Sequence, residues 1–434
     1  MPSTRRATAL LAFVTTCAVL LMAAPVRAVD LVILTSFPPA FYEVIGQRFE
    51  DAHPDIDVEI LQRSTTSGVR FLLEREAVDV DVFWASSPDA FELLKRQNQL
   101  ATVDVAIPLA EETVAGYPVN DADGQYFGFA FSTFGAAYNP DYLIRHGLDI
   151  PSSWSDLTRP AYWGHVGITS PSRSGTSHFI VEALLQTYGW DEGWRLISRM
   201  GGNLSTITAR SFGITDGIEQ GRFGIGPTID FLATVERSSD AIAFAALEPL
   251  FLVPASVAVL ERSTTREAAV AFVEFLLSTD TQLLLMTPEL GRIPVIKELR
   301  ALALSSRGTR LPEPVLVNGS TFDASLSARR YGLVNAIFDQ WIVAHRQELS
   351  ERWKVLNARP WADRKDLAAL LTTPPVGEGR AAAIIASDDS ASTVAATSLA
   401  ESDAASEEIS IAVTRMLTQF DSELESAAGL DRNH

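Results

Sequence analysis

An α/β protein of two lobes is what this sequence predicts, on three observations. Between residues 31 and 97 short apolar strands alternate with amphipathic helices, the pattern of a parallel, doubly wound sheet. A second α/β region follows an aromatic, extended stretch at 127–139. The chain then returns through an apolar strand at 254–260, so two crossings, near 127–139 and 249–257, join the lobes as a hinge. A length of 434 residues suits two or three domains of about 150 residues each.

In order, residues 31–34 read as a strand, 40–53 as an amphipathic helix, 58–61 as a strand, 69–75 as a helix, 80–84 as a strand and 89–97 as a helix. Ligands of such sheets bind outside the carboxyl ends of the strands. The loops there read Thr35-Ser36, then Arg63-Ser64-Thr65-Thr66-Ser67-Gly68, then Ser86-Ser87. Each alone is also an ordinary capped turn. Three in succession, rich in hydroxyls and free of acid before Asp89, mark a binding cleft.

In the second region, residues 141–146 form a helix and 165–169 a strand that opens into Thr169-Ser170-Pro171-Ser172-Arg173-Ser174-Gly175-Thr176-Ser177-His178. Ile180, Ala183, Leu184 and Tyr188 then recur at helical spacing. A helix N-terminus leaves N–H groups unpaired and carries about half a positive charge. With hydroxyls, a guanidinium and a glycine beside it, this one suits an anion, although the serines also serve as plain helix caps. A helix at 191–200, the stretch 206–220 and the segment 224–230 complete the region. Amphipathic helices at 266–277 and 281–286 are expected to pack back on the first lobe.

Val334, Phe338, Trp341, His345, Leu349, Trp353 and Leu356 step by three and four residues, which predicts one long helix of about eight turns with His345 a packed histidine. Between 376 and 408 Ala, Ser, Asp and Glu dominate without periodicity, as in a flexible linker. Ile411, Met416, Phe420 and Leu424 suggest a short terminal helix. The expected division is a signal peptide at 1–28, lobe 1 at 29–130 and 255–320, lobe 2 at 131–254, a helical extension at 321–375, the linker at 376–408 and a terminal helix at 409–434.

Arg5 and Arg6, an apolar run at 9–24 and Val26-Arg27-Ala28 read as a secretory signal peptide cleaved after Ala28, which places the mature protein in the periplasm. Cys17 is the single cysteine and leaves with that segment, so no disulfide is expected. No later stretch reaches the ~18 apolar residues of a membrane span. The chain carries 35 basic and 54 acidic residues, net −19; loss of Arg5, Arg6 and Arg27 leaves 32 against 54, net −22. Nucleic acid and anionic lipid are excluded as partners by that charge.

The opening at 31–39, His53-Pro54-Asp55, Trp154-Ser155-Asp156-Leu157 before Gly164, and 268–277 resemble the periplasmic solute-binding proteins of ABC transporters. A closer resemblance, to about residue 375, is to the phosphoglycerate transport regulatory protein family. It rests on Ser170-Pro171-Ser172-Arg173-Ser174 with Thr176 and His178, on Gly202-Asn203-Leu204, on Arg210-Ser211-Phe212-Gly213, and on Gly226-Pro227 with Ile229-Asp230. The resemblance implies the type II periplasmic-binding-protein fold with a helical C-terminal extension. It also implies capture of a small phosphorylated organic acid, for uptake through an ABC permease or for signalling to a membrane sensor kinase. Two departures lie at the presumed ligand edge: the loop at 63–68 is longer by one or two residues, and Gly175 stands where an acid is expected and would widen the site.

On that reading Ser172, Ser174 and Thr176 donate hydroxyl protons, Arg173 or Arg210 grips a phosphate or carboxylate through its planar fork, and Arg63 takes the other end of the ligand. Thr35, Ser36, Ser64, Ser67, Gly68, Ser86, Ser87 and Ser211 complete the expected contacts. Asp230 either accepts from a ligand hydroxyl or caps the following helix. No cofactor or metal is expected. Ferric carriers of this class place paired tyrosines where Asp230-Phe231-Leu232 has none, and six scattered histidines offer no short ligand spacing. Phosphonate, another organic anion and ferric iron remain the alternative ligands. A hydrolase reading of His178 near Ser174 and Ser177 lacks the Gly-x-Ser-x-Gly elbow.

Overall fold

The computed structural model describes residues 29–431 apart from 75–78, 107–112, 115–116, 235–240, 307–321, 360 and 390–393; the expected signal peptide lies outside the described residues. The first six elements are β1 (Val29–Thr35), α1 (Pro39–Ala52), β2 (Ile56–Gln62), α2 (Thr65–Leu73), β3 (Val82–Ala85) and α3 (Pro88–Arg96). Proline at the first position of α1 presets the helical φ where no N–H is needed. Phe41, Ile45 and Phe49, four residues apart, bury one face of that helix completely. β2 and β3 flank β1 in parallel, with Val29 opposite Ile56 and Ile33 opposite Val82.

The chain continues through β4 (Phe127–Tyr138), α4 (Pro140–His146), β5 (Val166–Thr169), α5 (Gly175–Tyr188), α6 (Trp190–Gly202), β6 (Leu204–Thr208), α7 (Gly213–Glu219), β7 (Ile225–Ile229), α8 (Asp230–Thr234), β8 (Ala243–Ala246) and β9 (Leu252–Val259). α9 (Arg266–Leu277), α10 (Thr279–Leu284), β10 (Ile293–Pro294) and α11 (Lys297–Ser306) follow. The strand order is β2-β1-β3-β9-β4-β7-β5-β6, with β8 and β10 also on β4.

β4, buried at all twelve positions, straddles the sheet. Its first part pairs with β9, from Phe127 opposite Val257 to Thr133 opposite Leu252, and its second part pairs with β7 and β8. The expected parallel pairing therefore holds for β2-β1-β3 and for β7-β5-β6, but β9 and β4 run antiparallel between them. Those two strands arrive from the opposite half, and a returning strand runs against its neighbours. One large core joins both halves, and Leu34, Val69, Phe83 and Phe91 form a second cluster under α2 and α3.

The C-terminal region differs from expectation in three places. Instead of one helix across 334–356, α12 (Ala324–Phe338) passes through a π-helical turn, Asp339–Val343, into α13 (Arg346–Asn357). His345 occupies the N-cap position of α13, beside Glu348, and not a continuous stripe. The segment expected as a linker is helical in α15 (Glu378–Asp389), after α14 (Trp361–Thr372), and from the start of α16 (Val394–Asp431). Alanine is the best helix former and needs no apolar period to form one. The buried stripe of α16 is Ile409, Val413, Leu417 and Phe420, packed on α12 and α14, while Ile411 is exposed.

Candidate functional site

Six loops converge on one cleft, and each leaves the carboxyl end of a parallel strand, where such sheets place ligands. From the first half come Ser36 after β1, Ser64 and Thr65 after β2, and Ser86 after β3. From the second come Arg173, Ser174, Gly175 and Thr176 after β5, Arg210, Ser211 and Phe212 after β6, and Phe231 and Leu232 after β7. The space they enclose, open mouth included, is about 450 Å³.

On the second rim, Ser170 caps a 3₁₀ turn, Pro171–Arg173, and Ser174 then caps α5 by accepting from the Ser177 N–H at 3.1 Å. The Ser174 hydroxyl also meets the Ser211 hydroxyl at 2.8 Å, which ties the β5 loop to the β6 loop. Two buried hydroxyls fix the backbone beneath Arg210: Thr169 and Thr208 donate to its carbonyl at 3.1 and 3.0 Å. The guanidinium lies 6.0 Å from the Phe212 ring, and its buried Nη1 has no hydrogen-bond acceptor among the described residues. Arg173 is exposed at the mouth.

On the first rim, Ser64 caps α2 by accepting from the Ser67 N–H at 3.3 Å. The rims touch at Gly175, where a Cβ would stand 2.7 Å from Ser87 Cβ and 2.8 Å from Thr65 Oγ1. Gly175 is thus a point of closest approach; it does not widen the site, because the space a side chain needs is taken by the opposite rim.

Of the residues singled out in the sequence, Ser36, Ser64, Ser86, Arg173, Ser174, Thr176, Arg210 and Ser211 line the cleft. Seven others lie outside its lining. Thr35 is fully buried, donating to the Trp84 carbonyl at 2.8 Å and accepting from the Phe37 N–H. Arg63 lies over the Phe71 ring at 4.3 Å, and Ser67 is exposed on α2. Gly68 lets α2 pack on Leu34, whose Cδ2 would be 2.7 Å from an added Cβ. Ser87 donates to Asp89, and Ser172 pairs with Ser170. Asp230 accepts from the N–H and hydroxyl of Thr133 at 3.1 and 3.0 Å, bracing the crossing strand β4.

The buried His178 turns from the cleft toward α12. Its Nδ1 is 2.8 Å from Asn335 Oδ1, Tyr331 stacks on its ring at 3.8 Å, and Nε2 lies 3.2 Å from Asp89 Oδ2 without the alignment of a hydrogen bond. Sequence reading missed the aromatic lining of Phe37 and Phe231 and the Thr169–Thr208 pair, and it named Thr65 within the loop at 63–68 without counting it among the contacts. Thr65 was within reach, since it follows the Ser64 cap directly. Among the described residues no group of three or more His, Cys, Asp and Glu side chains is arranged to hold a metal, and no helix is long and apolar enough to cross a membrane.

A family model described as bacterial extracellular solute-binding protein matches residues 80–304. The chain is 31% identical, over 351 residues, to the phosphoglycerate transport regulatory protein PgtC of Salmonella typhimurium, covering 80% of this chain and 86% of that one. Among solved structures it is similar to the periplasmic binding protein AfuA from Actinobacillus pleuropneumoniae, with exogenous fructose-6-phosphate bound: 16% identity, 75% of this chain and 97% of that chain, TM-score 0.56. It is likewise similar to iron-bound HitA from Pseudomonas aeruginosa: 20% identity, 70% and 99% covered, TM-score 0.53. At those identities the two structures speak for the fold alone.

Proposed function

This chain belongs to the bacterial extracellular solute-binding proteins and has the type II periplasmic-binding-protein fold, and from that premise we propose that it captures a small phosphorylated organic acid of the phosphoglycerate class. A member of this family binds a small ligand and works with a membrane partner. Here the partner proposed is an ABC permease or a membrane sensor kinase, reached by an exported chain, and the ligand contacts proposed are the cleft-lining side chains named above.

The observation that carries the reading is Arg210. A guanidinium presents five donors in a fixed fork, and leaving a buried donor unmatched costs about 1–3 kcal/mol. Nη1 of Arg210 is buried beside the cleft without an acceptor among the described residues, while its backbone is pinned by two threonines. A phosphate or carboxylate oxygen supplies the missing acceptor. Arg173, at the mouth of the same rim, offers a second fork. The hydroxyls of Ser36, Ser64 and Ser86 opposite suit the remaining oxygens of a short polyhydroxy acid.

Ferric iron is disfavoured by the donor set, since the side chains lining the cleft are hydroxyls, guanidiniums and apolar groups, with no carboxylate, imidazole or phenolate among the described ones. Calorimetric titration with 2- and 3-phosphoglycerate, phosphoenolpyruvate, a phosphonate, inorganic phosphate and ferric citrate tests the reading. The expected outcome is saturable binding of the phosphorylated acids, weakened in Arg210→Ala. Silence toward every phosphorylated acid with a clear response to ferric iron would sink it.

A further inference from the structure

The C-terminal extension is bound to the two halves of the molecule very unequally. To the second half it is built in. Arg330 of α12 forms a two-pronged pair with the buried Glu182 of α5, its Nε 2.9 Å from both carboxylate oxygens. Asp339 accepts from Ser170, Arg346 donates to the Ser205 carbonyl at 2.9 Å, and the Trp163 and Trp190 indoles donate to the carbonyls of Ser350 and Val376. Trp353 sits against Gly202, where even a Cβ would meet its ring at 2.2 Å. The extension therefore travels with the second half.

To the first half it is joined through one face of α12, packed on α3, and through two polar contacts among the described residues. Ser327 donates to Asp89 Oδ2 at 3.1 Å, and the Tyr331 hydroxyl meets Thr66 Oγ1 at 3.0 Å. Burial, together with the Asp89 charge, pushes the Tyr331 hydroxyl well above its ordinary pKa, so it stays a neutral hydroxyl. Asp89 and Ser327 are fully buried, and Asp89 also accepts from Ser87, the residue against which Gly175 closes. Any opening of the cleft that swings the first half away has to break these contacts and rehydrate Asp89.

We propose that Ser327 and Tyr331 are positioning residues for capture: α12 is a latch that holds the first half closed on the second, so that the extension sets how long a ligand stays. The proposal rests on the reading of this chain as a protein that closes on a small anion. The two polar contacts of the latch to the first half fall on Asp89 and Thr66, neither of which lines the cleft. Its effect falls on the closed state, and hence on release more than on entry.

The test uses the full chain with Ser327→Ala and Tyr331→Phe combined, each removing a hydroxyl without enlarging a side chain. With 3-phosphoglycerate as probe, stopped-flow measurement should show release faster by about tenfold, the scale of two modest hydrogen bonds, with the association rate changed less than about twofold. A residue that merely supports folding would lower the melting midpoint without splitting the two rates. Small-angle scattering of the ligand-free protein should show a larger radius of gyration in the variant, a readout that needs no ligand. Unchanged release together with an unchanged radius overturns the latch. If no phosphorylated acid binds either protein, the ligand reading fails, and the scattering comparison still decides the latch. Should the double variant not fold, Tyr331→Phe alone, measured the same way, decides it.

Discussion

The two rims of the cleft differ in what they bring to it. The first, from β1, β2 and β3, presents neutral hydroxyls: Ser36, Ser64, Thr65 and Ser86. The second, from β5 and β6, adds Arg173 and Arg210, and among the described residues every cation lining the cleft comes from this side. Arg63, which the first rim had to offer, is turned onto Phe71. On the proposed reading the contrast divides the work: one rim would fix charge in a rigid fork, and the other would supply rotors that donate or accept as the ligand requires. It also answers the net charge of −19, because a repulsive field screened beyond about 8 Å at physiological ionic strength leaves contact range to the guanidiniums.

The contrast is broken most directly by Arg210→Ala. Removing a charged partner of a bound anion is expected to weaken binding by about 1.5–3 kcal/mol, read by calorimetry with 3-phosphoglycerate. A loss no larger than that of Ser64→Ala would abolish the distinction between rims. Next in size is Gly175→Ala, whose Cβ would overlap Ser87 and Thr65 only where the rims meet. Overpacking of this kind costs on the order of 1–2 kcal/mol, and here it falls on the closed form, so affinity drops while the melting midpoint of the ligand-free protein moves little. Unchanged affinity would mean that the rims do not close at that point. Smaller still is Thr208→Val, which leaves the Arg210 fork intact but removes one of the two hydroxyls on its carbonyl. The expected loss is about 0.5–1.5 kcal/mol, and titration should show it with phosphorylated acids and inorganic phosphate alike, since the proposed role of Arg210 is to hold the charged group common to them.

The elements of the sheet were legible because period-2 and period-3.6 apolar patterns leave little choice, as in Phe41, Ile45 and Phe49. The strand-end rule likewise located the first-half loops that reach the cleft, at Ser36, Ser64 and Ser86, whereas Arg210 and Ser211 were singled out by the family resemblance. What stayed hidden needed partners distant in sequence. Nothing around Gly175 announces that Ser87 fills the space beside it, and nothing around Ser327 announces Asp89, 238 residues away. The same holds for Asp230: the Pro-Thr-Ile-Asp segment gives no sign that Thr133 of the crossing strand occupies its carboxylate. Residues 378–389 were misread for a different reason, since an alanine-rich helix has propensity without periodicity.

Arg63 supplies the smallest expected effect and the sharpest control. Its sequence neighbours, Ser64 and Thr65, line the cleft, so position in the chain alone would make it a ligand contact. Its guanidinium instead sits 4.3 Å above the Phe71 ring, an attraction of about 0.5–1 kcal/mol at a partly exposed site. Arg63→Ala should therefore lower the melting midpoint slightly and change affinity for 3-phosphoglycerate by less than about twofold, the residual being long-range charge that added salt removes. Arg173→Ala, measured beside it, should cost more affinity at every ionic strength, because its fork lies on the cleft. If the order were reversed, with Arg63 costing tenfold and Arg173 nothing, the charge of the site would belong to the first rim, and Arg63 would have to leave Phe71 when the ligand arrives.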